Sequence, residues 1–278
     1  NDNLYITGAF NRYSSGASSQ QGNTVTFGTT SLSTSSNGYM HMYIAKLSDS
    51  GDWQWAKQFG DDTGTSNGYQ VISSPGNNIL YHNNQLFVTT TYTGTLSFYD
   101  ANMPDVSANY YGILVASLDG NGTWMWAKSY DTTTQIYTQE YAYSMNALND
   151  NEISISGYLC SSSACTINFD SLQFTKPSTS GGSPFYAIME VNNGTINQIG
   201  PEIINPAGYI EDSLSTGKGS MTLIGNYQTW ISFGDYNLTS TGTWNSFIVS
   251  FVQGEDDDLD NDGILDDDDA CPQGVTNW

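Results

Sequence analysis

Leu4 to Phe10 reads LYITGAF, and the chain returns to that pattern three more times: LFVTTTY from Leu86 to Tyr92, ISISGYL from Ile153 to Leu159, and TLIGNY from Thr222 to Tyr227. Aligned on Ile6, Val88, Ile155 and Leu223, the copies stand 82, 67 and 68 residues apart. Each alternates large apolar residues with small or polar ones, the period-two signature of a strand with one buried face. Three of them carry glycine at the same point (Gly8, Gly157, Gly225), where a second backbone can approach closely. A period this long belongs to a supersecondary unit that is repeated whole.

A second element follows each copy: YIAKL from Tyr43, ILVASL from Ile113, YAIMEV from Tyr186 and FIVSFV from Phe247. In the first two repeats a polar, glycine-containing turn (Ser48 to Asp52, Asp119 to Gly122) leads into WQWAKQFG and WMWAKSYD, which makes a hairpin. A third element precedes the copy: YQVISS from Tyr69, YAYSMNAL from Tyr141 and, more weakly, YIEDSL from Tyr209. The unit is therefore four antiparallel strands, suited to a propeller blade. The expected fold is all-β, a β-propeller-like array over residues 1–254, divided near 1–68, 69–140, 141–208 and 209–254, with a separate acidic segment over 255–278. The strands number three, four, four and three, and fourteen do not close a ring of four blades. The expectation is a piece of a longer polypeptide, or edges filled by strands exchanged between copies of the chain, which would build a filament. The lack of an initiator Met and of a signal-peptide pattern leads to the expectation of a processed chain or an excised piece.

The order YITG, TFG with TSL (Thr26–Gly28, Thr30–Leu32), YIAKL, SDSG and WAKQFG resembles a bacterial and archaeal β-propeller repeat family whose consensus pairs a YVTG-type strand with a hairpin ending in Trp-Ala-Lys. The resemblance covers Leu4 to Val252. Its third copy lacks the paired Trp, reading Thr195, Ile196 and Asn197, and its fourth stops before that strand.

The 278 residues carry 28 Asp and Glu against 6 Lys and Arg, a formal charge of -22. Such a chain is repelled by phosphate backbones and anionic lipid, which excludes nucleic acid as a partner. No apolar run approaches the roughly 20 residues of a membrane span. Ten of the acids fall between Glu255 and Asp269 with no base among them. There Asp258, Asp260 and Asp262 alternate, Gly263 follows, and Asp266 and Asp269 complete the spacing of an EF-hand-like calcium loop. The carbonyl of Ile264 would be a further ligand, and Asp256 could serve a neighbouring ion. The competing reading is a solvated acidic linker. DLDNDGILDDDDACP also resembles the thrombospondin type 3 repeat, which implies calcium binding in tandem units and a partner for Cys271 in a neighbouring unit.

Cys160 and Cys165 in CSSSAC are near enough in sequence to bridge, with two free thiols as the alternative. Asn121, Asn193 and Asn237 begin N-x-Thr tripeptides, candidate glycosylation sites that also arise by chance in so Asn- and Thr-rich a chain. Only His41 and His82 could serve a nucleophile, and neither sits in an orienting motif. Adjacent acids such as Glu211 with Asp212, or Asp61 with Asp62, read as solvated turns rather than a glycosidase pair. The pairs Trp53 with Trp55 and Trp124 with Trp126 face one side of a strand, to pack between blades or to stack sugars. These readings lead to a non-enzymatic, extracellular or cell-surface structural and adhesive protein with a calcium-stiffened stalk, whose partners are calcium ions and either copies of itself or cell-surface glycans. A lectin-like propeller is the second reading, and a glycan-processing enzyme the last.

Overall fold

The computed structural model describes residues 3–10, 24–34, 41–60, 78–132, 140–160, 164–176, 181–200, 207–216, 219–234, 236–241 and 244–252. Every regular element among them is a β-strand, and every strand pairing is antiparallel. The first group runs β1 (Leu4–Phe10), a small hairpin of β2 (Thr24–Phe27) and β3 (Thr30–Ser33), then β4 (His41–Leu47) and β5 (Trp53–Phe59), with β1, β4 and β5 forming one sheet. The second sheet is a meander of β6 (Asn78–His82), β7 (Gln85–Leu96), β8 (Val106–Asp119) and β9 (Trp124–Asp131). The third joins β10 (Tyr141–Asn149) and β11 (Glu152–Leu159) to β14 (Ser183–Glu190) and β15 (Ile196–Gly200), around an inserted hairpin of β12 (Cys165–Phe169) and β13 (Leu172–Lys176). The fourth has β16 (Gly208–Ser215), β17 (Ser220–Tyr227) and β20 (Asn245–Val252), with β18 (Trp230–Phe233) and β19 (Tyr236–Thr239) as its inserted hairpin.

The main sheets therefore contain three, four, four and three strands, as the repeat pattern implies, and the inserted hairpins are additional. Their four- and five-residue strands are too short to show a period. TFG and TSL, met in the sequence as parts of a motif, are β2 and β3 turning at Gly28, whose φ is 60°. The first strand of the second sheet also differs from expectation. It is NILYH from Asn78, hairpinned to β7 through Asn83 and Asn84, both left-handed at φ 49° and 59°. YQVISS lies outside the described residues.

The sheets stack face to face in chain order. Met42, Ile44 and Phe59 of the first meet Leu86, Val88 and Leu114 of the second. The second sheet's other face, with Phe87, Ile113 and Val115, meets Ile153, Ile155 and Ala187 of the third. Ile188 and Leu148 then cover Ile210, Met221 and Leu223 of the fourth. Burial on both faces explains why β7, β11 and β14 are buried over most of their length, whereas β1 is mostly half-exposed. The fourth sheet's outer face meets solvent, with Ile248 72 % exposed.

A repeated lock sets the stagger of neighbouring sheets. Trp55 of β5 donates its indole N–H to the carbonyl of Gly120 in the second sheet's turn, at 3.3 Å, and lies on Gly122. One repeat later Trp126 of β9 donates to Val191 at 3.1 Å and lies on Gly194. Gly51 is the matching glycine of the first sheet, and no described atom lies within 4 Å of where its Cβ would be. All three glycines are left-handed, Gly51 at φ 84° and Gly122 at 82°. Gly51→Ala and Gly122→Ala therefore carry the same backbone cost, about 1–3 kcal/mol. Gly122→Ala also pushes a methyl group into the Trp55 ring. Urea denaturation of the two variants is expected to find Gly122→Ala the less stable, and equal losses would mean that the ring does not bear on this turn.

Candidate functional site

Asp256, Asp258, Asp260, Asp262, Ile264, Asp266, Asp269 and Cys271 all lie outside the described residues. Among the described residues no group of three or more His, Cys, Asp and Glu side chains is placed to hold a metal ion.

Cys160 and Cys165 are joined across the entry to β12, with Cα atoms 6.0 Å apart, inside the span a disulfide requires. Lys176, opposite Cys165 on β13, is buried and donates its ammonium hydrogens to the carbonyls of Cys160 and Gly181. Burial lowers its pKa, and the two carbonyls satisfy the charge that remains. This corner is a clamp on the hairpin rather than a reactive site. Replacing both cysteines by serine is expected to cost about 2 kcal/mol of stability, as for a short bridged loop, read by denaturant titration of the oxidised and reduced protein. Identical midpoints would leave the bridge without a role.

The three N-x-Thr asparagines are exposed or on exposed turns, Asn121 and Asn193 at hairpin turns and Asn237 on β19. Asn193 binds inward, its amide donating to Glu190 at 2.7 Å and its oxygen accepting from the Thr195 amide. Of the histidines, His41 is buried beside Phe10 and Tyr99, and the Nε2 of His82 sits 2.9 Å from the Asn149 carbonyl in the next sheet. The Nε2 of His41 lies 3.3 Å from the Tyr99 hydroxyl, so one ring is set into an aromatic cluster and the other ties two sheets together. Glu211 and Asp212 diverge: Glu211 accepts from Asn226, Asp212 from Ser144. Asp61 and Asp62 lie outside the described residues. The paired tryptophans do not share a face as the alternation predicts: a register shift within each pair puts Trp53 and Trp55, and likewise Trp124 and Trp126, on opposite sides of their strands. Trp124 is buried against Phe59 and Phe98, Trp53 lies edge-on to Phe27, and Trp55 and Trp126 form the locks between sheets.

Among the described residues, depressions lie at the turns and edges of the sheets, and two of them carry polar or aromatic walls. One, of about 720 Å³, carries Asp150, Glu152 and Glu190, with Glu152 and Glu190 held by the amides of Asn149 and Asn193. The other, of about 280 Å³, is walled by Tyr143, Tyr158 and Tyr209 over Gly182 and Gly208. Sequence reading missed this tyrosine cluster, because it joins a hairpin of the third sheet, with Tyr143 and Tyr158, to a strand of the fourth, with Tyr209, about 50 residues on. Burial lifts the Tyr143 and Tyr158 phenols above the ordinary value of 10.0, and neighbouring tyrosines add to it. Burial also raises Tyr130, with Asp170 beside it, and Tyr92.

Since these phenols hold their protons in the fold and release them near 10.0 when unfolded, the stability they confer is intact below pH 10 and falls as pH rises beyond it. Alkaline titration is expected to show one group of tyrosines ionising near pH 10 and another ionising only as circular dichroism is lost. Full ionisation with the fold intact would contradict the burial of Tyr130 and Tyr158. No family model matches the chain, and no curated protein matches it either.

Proposed function

We propose that this chain is a non-enzymatic structural or adhesive segment of an extracellular or cell-surface protein, built of β-propeller blades and continued by a calcium-binding stalk. The observation that carries the reading is the repetition of one lock at successive sheet junctions, Trp55 on Gly122 and Trp126 on Gly194, with both indoles donating to the turn of the next sheet. Meanders stacked through such a repeated contact are the packing that blades use, and repeats of this kind present long surfaces. The outdoor location is supported by the Cys160–Cys165 pair and by the alternating aspartates from Asp258 to Asp269. A fold-level reading names no partner by itself, and strand exchange into a filament is one form the structural role can take. Carbohydrate recognition by the Trp pairs is disfavoured, because those rings are engaged in packing. Catalysis ranks last, given the separate settings of His41 and His82.

Calorimetric titration of calcium into the full chain tests the stalk. The expected result is heat with a dissociation constant on the order of 10⁻⁴–10⁻³ M, as in extracellular calcium modules, abolished by Asp260→Asn with Asp262→Asn. No heat from the unaltered protein would remove the calcium stalk from the proposal. Sedimentation of the same sample separates a filament from a monomer.

A further inference from the structure

We infer that the tyrosine-walled depression between the third and fourth sheets binds the ring of an uncharged sugar within a neutral oligosaccharide. Five aromatic rings run in contact across this junction. Tyr141 and Tyr143 stack at 5.7 Å and 6°, Tyr143 meets Tyr158 at 5.6 Å, Tyr158 meets Tyr209 at 6.5 Å, and Tyr209 meets Trp244 at 5.5 Å. Tyr143, Tyr158 and Tyr209 are half-buried, and Trp244 is 46 % exposed.

Tyr141 and Tyr209 stand at the same place in their repeats, but the repeat does not require the Tyr158 ring that joins them. Where the third copy has Tyr158, the aligned positions of the others hold Ala9, Thr91 and Asn226. The glycine floor is tight against the walls, since a Cβ on Gly182 would fall 2.5 Å from the Tyr158 ring.

Two β-bulges sit beside the depression, and the residue of the first, Tyr143, lines it. The register of β10 on β11 skips Tyr143, between Ala142 and Ser144, and the register of β16 on β17 skips Glu211 at the matching place, between Ile210 and Asp212. A bulge turns one side chain out of the strand's alternation, and bulges gather beside binding sites. Glu211 is close enough to Tyr143 for its charge to help hold that phenol protonated. Its carboxylate accepts from Asn226 Nδ2 at 2.7 Å, and Asn226 Oδ1 accepts in turn from Ser246 at 2.7 Å. The edge of the aromatic strip thus carries carboxylate, amide and hydroxyl groups in one row.

This combination selects the ligand chemistry. Ring faces of Tyr and Trp offer broad apolar area, which suits the C–H face of a pyranose, and the phenol, amide and carboxylate groups suit its hydroxyls, which both donate and accept. Among the described residues no Lys or Arg lines the depression, while Glu211 stands beside it, so sulfated, phosphorylated and uronic ligands are disfavoured. A proline-rich peptide also favours aromatic grooves, but its prolines have no N–H to give a carboxylate such as Glu211. The inference does not depend on the blade or calcium readings.

The full chain is titrated calorimetrically with neutral hexasaccharides of glucose, mannose, galactose and xylose, and with a proline-rich peptide. At least one saccharide is expected to bind. Tyr209→Ala and Glu211→Gln are each expected to weaken it about tenfold, a loss of one stacking or charge-assisted contact. Tyr81→Ala, at an exposed tyrosine stacked on Tyr5 near the opposite end of the stack, is expected to leave it unchanged. Glu211→Gln keeps the side-chain shape, so its urea midpoint shows whether a loss is local. The inference is overturned if no neutral saccharide binds the folded protein, if only the peptide binds, or if both groove variants bind as the unaltered chain does.

Discussion

An indole lying on a left-handed glycine is the contact on which the stacking of these sheets depends. Two apolar sheet faces can slide over one another with little change in buried area, because hydrophobic burial has no direction. The Trp55 and Trp126 N–H groups supply the missing direction, each reaching one carbonyl in the following sheet. The Gly120 carbonyl also accepts from Lys46 at 2.9 Å, so one turn of the second sheet holds two side chains of the first. A left-handed glycine is needed there twice over, for the turn and for the room the ring takes. Tyr130 adds to the second lock by donating its hydroxyl to the Gly194 carbonyl at 3.1 Å.

The third junction lacks this device. By strand register the residue equivalent to Trp55 and Trp126 in the third repeat is Gln198, one position beyond the Asn197 of the sequence alignment, and its amide turns back to Tyr186 in its own sheet. The stagger is set instead by a buried polar group. Ser144 donates to Asp212, Asn146 donates to the carbonyl and hydroxyl of Ser213, and Ser156 donates to the Ser213 hydroxyl. Buried polar atoms are costly unless all are paired, so such a network tolerates one arrangement of the two sheets and penalises the rest.

How far these features could be read from the sequence follows from their range. The second and third strands of each sheet were legible because alternation over seven or eight residues, repeated four times, rarely arises by chance. The hairpin into Trp53–Phe59 was legible from its turn residues. The inserted hairpins were not, since strands as short as Thr24–Phe27 hold only two residues per face. NILYH was passed over because a stronger-looking run, YQVISS, stood just before it. The tyrosine strip was illegible for a different reason. It depends on two bulges, at Tyr143 and Glu211, and a bulge leaves no mark in the alternation until the partner strand's register is known. The run of alternating aspartates from Asp258 to Asp269 is the reverse case, a motif whose spacing is entirely local and whose residues lie outside those described.

The scarcity of cations connects the fold to its surroundings. Of six Lys and Arg, Lys46, Lys128 and Lys176 are committed to internal contacts: the Gly120 carbonyl, Asp170 at 2.9 Å, and the carbonyls of Cys160 and Gly181. Each ties an inserted hairpin or a turn to a neighbouring strand, so these positive charges serve cohesion and do not form a patch. The excess of carboxylates is therefore hardly offset at the surface. Such a field repels polyanions over about 10 Å at ordinary salt and attracts divalent cations. A chain with this balance gains nothing from pairing with polyanionic partners. Neutral groups do not feel that field, and the Tyr143, Tyr158 and Tyr209 rings where the third and fourth sheets meet are of that kind.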